Sequence, residues 1–343
     1  MEKMEPEEEI PEMAGVMLCE PTELYNMLNQ ATRISRLAEQ NYLYLLDART
    51  KREYNESHLV TAIRVKQNLL GKYLVPESIN LQCVKHCVVY DGKTDSVEAA
   101  FDMDYDVYDV DKDLKEYGEP DIMELTRKGS PKLNAKEGSA ARCARVMQRH
   151  TCFPVMVLRG GYELFTRSYH FLRTQKIFWM PRELEDFKPY PVEILPAKLY
   201  MGNYKQACDK QIQKDLKIRA QLNVSEEVGT FFLEDPDRLL HIPIPDSPEA
   251  DLSSFFIQIC HFIDQHLHQE AVLVFSTLGI SRSSTAVMAY LMHSCRLHLK
   301  SAWNYVQKCK DNMRPNRGFV NQLSEWEQRL YIARLTDTSE PNY

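Results

Sequence analysis

The sequence lacks the features that define several large classes of protein. It contains no stretch that approaches about 18 uninterrupted apolar residues, so we expect no membrane span. Lysine and arginine are not clustered, so we expect no nucleic-acid partner. The sequence begins MEKMEPEEEI, which is acidic, whereas secretory and mitochondrial leaders are basic near their start. We therefore expect a cytoplasmic protein and leave a mitochondrial or nuclear pool open.

Paired cysteines are also missing. The nine cysteines form no CxxC pair and have no histidine at zinc spacing, so we expect neither a metal nor another cofactor. Most have apolar neighbours, as in residues 81–90 and 255–263, which favours buried, reduced thiols. The nine are Cys19, Cys83, Cys87, Cys143, Cys152, Cys208, Cys260, Cys295 and Cys309.

The net charge of −7 is concentrated in one segment. Residues 101–124 hold ten acidic residues and two lysines, a local charge of −8. No long apolar periodicity appears in the wider stretch 98–141, so we expect a mobile acidic insert there. The insert is either a solvated loop or a surface for a basic partner.

Residues 271–292, AVLVFSTLGISRSSTAVMAYLM, form the most informative pattern in the chain. An apolar strand leads into a short loop with Gly279 and Arg282, and an apolar helix follows from about Ser283. In this arrangement backbone N–H groups converge near a helix N-terminus and attract an anion. Arg282 can hold two phosphate oxygens at once. The alternative interpretation is an ordinary turn before a core helix.

This loop resembles the signature His-Cys-x-x-Gly-x-x-Arg-Ser of the dual specificity protein phosphatases. The histidine position is Phe275 and the cysteine position is Ser276, whereas the glycine, arginine and final serine match. In active members the cysteine thiolate attacks phosphorus. A serine hydroxyl stays protonated without an adjacent base, so we expect no catalytic residue here. The resemblance implies a phosphate-binding loop made of Ser276, Thr277, Leu278, Gly279, Ile280, Ser281, Arg282 and Ser283.

The flanking sequence extends this resemblance to about residues 190–332. Tyr200-Met201-Gly202-Asn203 and Ala220-Gln221-Leu222-Asn223-Val224 resemble the family's opening strands, and the segments after 289 follow its last helices in order and spacing. Asp246 matches the general acid. A structural alternative is that Asp246 caps the helix that starts near Asp251 or forms an Asx turn.

The first half contains short apolar strands at 42–46, 87–90 and 154–158, separated by helical patterns, which predicts a parallel sheet. In this order the pieces resemble a rhodanese-like domain over about residues 18–173. The resemblance places Asp91 where a sulfurtransferase has its sulfur-carrying cysteine, and Cys87 lies within the strand. Asp47 and Arg49 are expected to form a structural ion pair.

We therefore predict an α/β protein of two domains, an N-terminal rhodanese-like parallel sheet with flanking helices and a C-terminal dual-specificity-phosphatase-like domain. The predicted divisions are an acidic extension (1–17), the first domain (18–173), a linker (174–189), the second domain (190–335) and a tail (336–343).

This pairing is the layout of the MAP kinase phosphatases, which dock their kinase through a run of arginines. The corresponding residues 65–72 hold only two separated lysines, so strong docking of a kinase by this route is not expected. With both nucleophile positions replaced, the chain resembles the pseudophosphatases of the family. Its expected partners are phosphoproteins or signalling enzymes, either an active phosphatase or a kinase. The alternative function is a slow or specialised phosphatase with a non-cysteine nucleophile.

Overall fold

The computed structural model describes residues 15–76, 80–97, 138–178, 181–229, 231–268 and 270–339. The acidic extension predicted for 1–17 lies outside the described residues except for its last three. The acidic insert predicted for 98–141 also lies outside them up to residue 137, and the end of the predicted tail does so from residue 340.

The first half is built on a parallel sheet, as predicted. Its strands run in the order β1-β6-β5-β2-β4, and all four neighbouring pairs are parallel. Short strands β3 and β7 form a separate antiparallel pair. The strands are β1 (Met17–Cys19), β2 (Leu43–Asp47), β3 (His58–Leu59), β4 (Ile63–Arg64), β5 (His86–Tyr90), β6 (Val155–Leu158) and β7 (Arg173–Thr174). The helices are α1 (Pro21–Leu28), α2 (Lys51–Glu56), α3 (Ser139–Gln148) and α4 (Gly161–Ser168).

Helix α3 corrects the end of the predicted acidic insert. It begins at Ser139, Ala140 belongs to the core that covers one face of the first sheet, and Ala141 is buried as well. Residues 139–141 therefore belong to the packed fold. The small side chains at the start of α3 allow the helix to pack closely on β5 and β6.

The second half contains a five-stranded sheet in the order β11-β10-β12-β9-β8. Only the edge strand β8 is antiparallel to its neighbour. Its strands are β8 (Val192–Leu195), β9 (Leu199–Asn203), β10 (Ile218–Asn223), β11 (Leu239–His241) and β12 (Ala271–Ser276). Its helices are α5 (Tyr204–Cys208), α6 (Lys210–Asp215), α7 (Phe256–Leu267), α8 (Arg282–Ser294), α9 (Leu299–Cys309) and α10 (Arg317–Tyr331).

Helix α8 is the central helix of the second half. Every residue from Arg282 to Met292 is buried, because α8 packs against α7, α9, α10 and the sheet. A helix enclosed on all sides is apolar all round, which explains the unbroken run AVMAYLM in its sequence. Among the described residues, no helix combines the length and apolar character needed to cross a membrane.

The two halves meet around the buried carboxylate of Glu193. It accepts hydrogen bonds from the hydroxyls of Thr22 (2.7 Å) and Tyr200 (2.9 Å), and from that of Tyr169. Thr22 and Tyr169 belong to the first half, whereas Tyr200 lies on β9 of the second. Burial, with Glu193 nearby, raises the pKa of both tyrosines, so their hydroxyls remain donors. Phe178 and Phe187, from the predicted linker, pack against the apolar core that both halves share.

A second contact between the halves lies just after α9. The amide of Gln30, in the first half, donates to the Cys309 carbonyl at 2.8 Å and accepts from the Asp311 N–H at 3.2 Å. The Asp311 carboxylate forms an ion pair with Arg36. The segment after α9 is therefore held by the first half.

The cysteine predictions are partly wrong. Five cysteines are buried, but Cys83, Cys152 and Cys295 are exposed and Cys208 is intermediate. Cys83 lies in a single helical turn whose apolar residues Leu81 and Val84 point inward, which leaves the cysteine outside. An apolar neighbourhood in sequence therefore did not determine which side of a turn faces solvent.

Candidate oxyanion-binding loop

The loop between β12 and α8 lies at the carboxyl end of a central parallel strand. The predicted strand and helix are both present, with β12 ending at Ser276 and α8 beginning at Arg282. The carboxyl edge of a parallel sheet is where α/β folds place ligands, because loops and helix N-termini converge there.

Gly279 determines the tight path of the loop. Its φ is +70°, and an added Cβ would lie 2.4 Å from the carbonyl oxygen of Gly202 at the end of β9. A side chain is therefore excluded both by the backbone conformation and by contact with the neighbouring strand. Leu278, just before it, is 69% exposed, while the Ile280 carbonyl accepts the Arg314 N–H at 3.1 Å.

Ser276 lies at the floor of the loop and is only 2% exposed. Its Oγ accepts the Gly279 N–H at 3.2 Å and lies 3.2 Å from the Oγ of Ser283, to which it donates. Within the described ranges, no histidine, lysine or carboxylate forms a hydrogen bond with Ser276. The preceding residue, Phe275, is fully buried in the shared core and supplies no base. Among the described residues, the Ser276 hydroxyl therefore has no base within hydrogen-bonding distance.

Arg282 begins α8 and is 6% exposed. Its Nη1 donates to the Ile244 carbonyl and its Nη2 to the Thr277 Oγ1, each at 2.7 Å. Its Nε is buried and has no hydrogen-bond partner among the described residues, since the nearest carboxylate oxygen, on Asp246, is 3.7 Å away. Nε thus forms a long ion pair with Asp246 but no hydrogen bond, and because a buried N–H without an acceptor is costly, it is a donor available to an anion.

Asp246 faces the loop. Its Oδ1 accepts hydrogen bonds from the Ser281 hydroxyl at 2.7 Å and from the Asn316 side-chain amide at 2.9 Å. Near the helix that the capping alternative named, it is Asp251 that accepts the Ser254 N–H, at 3.1 Å. Ser281 also receives the Asn316 backbone N–H at 3.2 Å. Asp246 therefore lies beside the loop, and its assignment as the acid stays a prediction.

Glu227 is a loop contact that sequence reasoning missed. Its carboxylate accepts the Thr277 hydroxyl at 2.8 Å, and its backbone carbonyl accepts the Asn223 side-chain amide at 2.7 Å. Partial burial alone would raise the pKa of Glu227, but the hydrogen bonds from Thr277 and Ser225 hold it below its ordinary value. Glu227 is therefore ionised at neutral pH. It belongs to no motif, and no sequence signal links it to residues fifty positions further along the chain.

Asp91, which the sequence resemblance places at the position of a sulfur-carrying cysteine, has a structural role. Its carboxylate accepts the N–H groups of Lys93 (3.0 Å), Thr94 (2.8 Å) and Ala140 (3.0 Å), and the Thr94 hydroxyl as well. It therefore ties the loop after β5 to the first turn of α3. Cys87 is buried within β5, and burial raises its pKa to about 12.

The predicted ion pair between Asp47 and Arg49 is present. The two are 2.6 Å apart, and the Tyr90 hydroxyl donates to the same carboxylate at 2.8 Å. The Arg49 guanidinium also stacks 3.8 Å from the ring centre of Tyr162. These contacts are buried at a strand end and stabilise the fold.

Two other features of the described residues bear on where a ligand could bind. No group of three or more potential metal-ligating side chains comes together in them. A cavity of about 1430 Å³ lies between the two halves and includes Glu193 and Tyr169 in its lining, but no residue of the loop 276–283. The carboxylate of Glu193 is already fully hydrogen-bonded, so the candidate site remains the loop.

Comparison with known protein families gives two matches. Residues 199–329 match the family described as "Dual specificity phosphatase, catalytic domain", and residues 20–119 match the family described as "Rhodanese-like domain".

Among similar proteins, human dual specificity protein phosphatase 5 is 40% identical over 224 residues, 57% of each chain. Human dual specificity protein phosphatase 9 is 38% identical over 145 residues, 42% of this chain and 38% of that protein. The present chain thus spans 57% and 38% of the length of these two relatives. A crystal structure of human tyrosine phosphatase-like serine/threonine/tyrosine-interacting protein is 32% identical, with 41% of this chain and 97% of that chain covered and a TM-score of 0.38.

Proposed function

Because residues 199–329 match the dual specificity phosphatase catalytic domain and residues 20–119 match the rhodanese-like domain, we propose that the protein is a catalytically inactive member of the dual specificity phosphatase family. It binds phosphorylated proteins, or the enzymes that act on them, and does not hydrolyse their phosphate esters. Its effect in phosphorylation signalling then depends on the amount of protein present, because binding is stoichiometric and turnover is not involved.

The observation that carries this proposal is the environment of Ser276. A serine attacks phosphorus only when a neighbouring base removes its proton. Here the hydroxyl contacts the Ser283 hydroxyl and the Gly279 N–H, and neither group is a base. The positive field of a loop and a helix N-terminus is sufficient to ionise a thiol but not an alcohol.

The remaining loop supports retention of anion binding. The Nε of Arg282 is a buried donor without an acceptor, and the loop lies at the start of a helix. Replacement of a thiolate by a neutral hydroxyl also removes a negative charge from the floor of the loop. At about 4 Å that charge would repel an incoming anion by roughly 1 kcal/mol or more.

The partners follow from the same chemistry. A loop that holds an oxyanion without releasing it shields a phosphorylated residue, or occupies a partner that an active phosphatase would otherwise engage. In the rhodanese-like half, the Asp91 carboxylate is used in hydrogen bonds to backbone N–H groups. This half contributes surface for contacts with partners that need no phosphate. Residues 65–72 supply only two cationic side chains, Lys66 and Lys72, so strong kinase docking there is not part of this proposal.

The experiment is phosphate release from a phosphotyrosine peptide by the purified full chain, with Arg282→Ala as the control for contaminating enzymes. We expect no release above that of the Arg282→Ala protein. A release that is abolished by Arg282→Ala would instead establish a slow phosphatase, the alternative favoured by the position of Asp246 beside the loop. Affinity capture with the same two proteins then separates phosphate-dependent partners, lost in Arg282→Ala, from partners bound elsewhere.

A further inference from the structure

Arg49 and Arg282 differ in the contacts of Nε and Nη2, the two nitrogens on one edge of the guanidinium group. Arg49 holds the carboxylate of Asp47 with Nε at 3.0 Å from Oδ1 and Nη2 at 2.6 Å from Oδ2. This edge, with its two parallel N–H groups, fits an anion that offers two oxygens.

In Arg282 the two nitrogens of this edge have different contacts. Nη2 donates to the Thr277 hydroxyl at 2.7 Å, whereas Nε has no hydrogen-bond partner among the described residues and forms only a long ion pair with Asp246 Oδ2 at 3.7 Å. The remaining nitrogen, Nη1, donates to the Ile244 carbonyl at 2.7 Å on the other side of the group. In Arg49 one Nη2 N–H reaches Asp47, since the same nitrogen also donates to the Ser57 carbonyl at 2.8 Å. In Arg282 one Nη2 N–H is held by Thr277, so an anion that enters the loop shares this nitrogen with Thr277.

A hydrogen bond to Glu227 orients the hydroxyl of Thr277. This hydroxyl has one proton, which it donates to the Glu227 carboxylate at 2.8 Å, so a lone pair is left to face Arg282. Glu227 is held in turn by the Asn223 side-chain amide, which donates to the Glu227 carbonyl at 2.7 Å. The series Glu227–Thr277–Arg282 thus keeps Thr277 as an acceptor for the arginine.

We propose that Thr277 and Glu227 form a latch that sets the affinity of the loop for oxyanions by competing with them for the Nη2 of Arg282. This inference rests on the proposed function, since it concerns the strength of binding at the same loop. An anion with two free oxygens reaches Nε and either competes with the Thr277 hydroxyl for Nη2 or uses the second N–H of that nitrogen. It also approaches the carboxylates of Glu227 and Asp246, which oppose its entry.

The test is a calorimetric titration of inorganic tungstate into the full chain and its variants. Thr277→Val keeps the shape of the side chain and removes the acceptor, so we expect binding about tenfold tighter than in the unaltered chain, equivalent to roughly 1.4 kcal/mol. Glu227→Gln removes the charge and weakens the hold on Thr277, and we expect a tighter complex there as well. It also provides a second route if the threonine variant fails to fold.

Matched controls separate the latch from general effects. Glu226→Gln removes an adjacent, exposed carboxylate, and Thr166→Val removes a threonine hydroxyl that donates to the Tyr162 carbonyl in the first half. Both are expected to bind tungstate as the unaltered chain does. If Glu226→Gln and Glu227→Gln increased the affinity for tungstate equally, the increase would come from the overall charge of the protein, and the latch would be wrong.

The latch and the proposed function fail in different ways. If the unaltered chain binds tungstate and Arg282→Ala does not, but folded Thr277→Val and Glu227→Gln bind equally or more weakly, Thr277 positions the arginine and the latch is wrong. If neither the unaltered chain nor any folded variant binds tungstate, anion binding by the loop is wrong and the latch fails with it.

Discussion

Phe275 and Ser276 follow one another on β12 but face opposite sides of the sheet. Phe275 is fully buried in the core shared by the two halves, with its ring centre 6.4 Å from that of Tyr204. The hydroxyl of Ser276 lies at the floor of the loop, 3.2 Å from the Gly279 nitrogen. This alternation is the ordinary geometry of a strand. Substitutions at the two positions therefore have separable effects, one on the chemistry of the loop and one on stability.

Ser276→Cys is expected to create measurable phosphatase activity. A thiol at this position lies in the field of the loop N–H groups, the α8 N-terminus and Arg282, which lower its pKa and favour the nucleophilic thiolate. Activity is measured as phosphate release from a phosphotyrosine peptide, with Ser276→Ala as the inactive control. A folded Ser276→Cys protein without activity would contradict the expectation that the loop retains a productive shape.

Phe275→His is expected to destabilise the protein without producing activity alone. It replaces a large, fully buried apolar side chain by a smaller polar one in an apolar core, and the expected loss in the free energy of unfolding is about 3 kcal/mol. Chemical denaturation measures the change in the free energy of unfolding, and Phe275→Leu serves as the milder apolar control. A histidine variant as stable as the unaltered chain would show that the position tolerates a polar group.

Gly279→Ala tests the close approach of the loop to Gly202 on β9. The matched control is Gly71→Ala, because Gly71 also has a positive φ, +78°, but an added Cβ there would meet nothing within 4 Å. We expect Gly71→Ala to cost about 1 kcal/mol from its backbone conformation. Gly279→Ala adds the contact with Gly202 and should cost more, with loss of tungstate binding. Equal costs in the two variants would contradict the close approach.

Stability should decrease in mild acid because of His86. Burial, followed by the charges of Lys85 and Arg36, lowers the pKa of His86 to about 4 from an ordinary value of 6.5. The folded state therefore binds fewer protons, so this contribution to stability is present above pH 6.5 and is lost as the pH falls towards 4. Partial exposure reduces the effect to about 1–2 kcal/mol.

The measurement is the free energy of unfolding of the unaltered chain and of His86→Gln at pH 7 and pH 5. The free energy of unfolding of the unaltered chain, minus that of His86→Gln, should decrease from pH 7 to pH 5, because only the unaltered chain loses the contribution of His86. Parallel pH profiles for the two proteins would show that His86 does not titrate differently in the folded and unfolded states.

The parts of the fold that depend on local pattern could be predicted from the sequence. In residues 271–292 two apolar runs, a strand and a helix, flank a short loop with Gly279. The bounds of these elements in the structure agree with the predicted ones within one or two residues. The pairing of Asp47 with Arg49 was also accessible, because the two residues are close in the chain and follow a strand.

The contacts that depend on distant residues could not be predicted in this way. Glu227 reaches Thr277 only because β10 and β12 are neighbours in the sheet, and Glu193 acquires its partners from both halves once they pack together. A single acidic residue in a sequence carries no sign of such a partner. The same limit explains Cys83, whose exposure is decided by the orientation of one turn.

The central claim, that the loop binds a phosphate ester and leaves it intact, is tested most directly by phosphorus NMR of a phosphotyrosine peptide mixed with the full chain. Arg282→Ala is the negative control, and Arg314→Ala, which removes an exposed arginine at the edge of the loop, is the control for charge. The account predicts that the ester signal shifts saturably with the unaltered chain and with Arg314→Ala, does not shift with Arg282→Ala, and that no inorganic phosphate appears. Inorganic phosphate that accumulates with the unaltered chain but not with Arg282→Ala would contradict it.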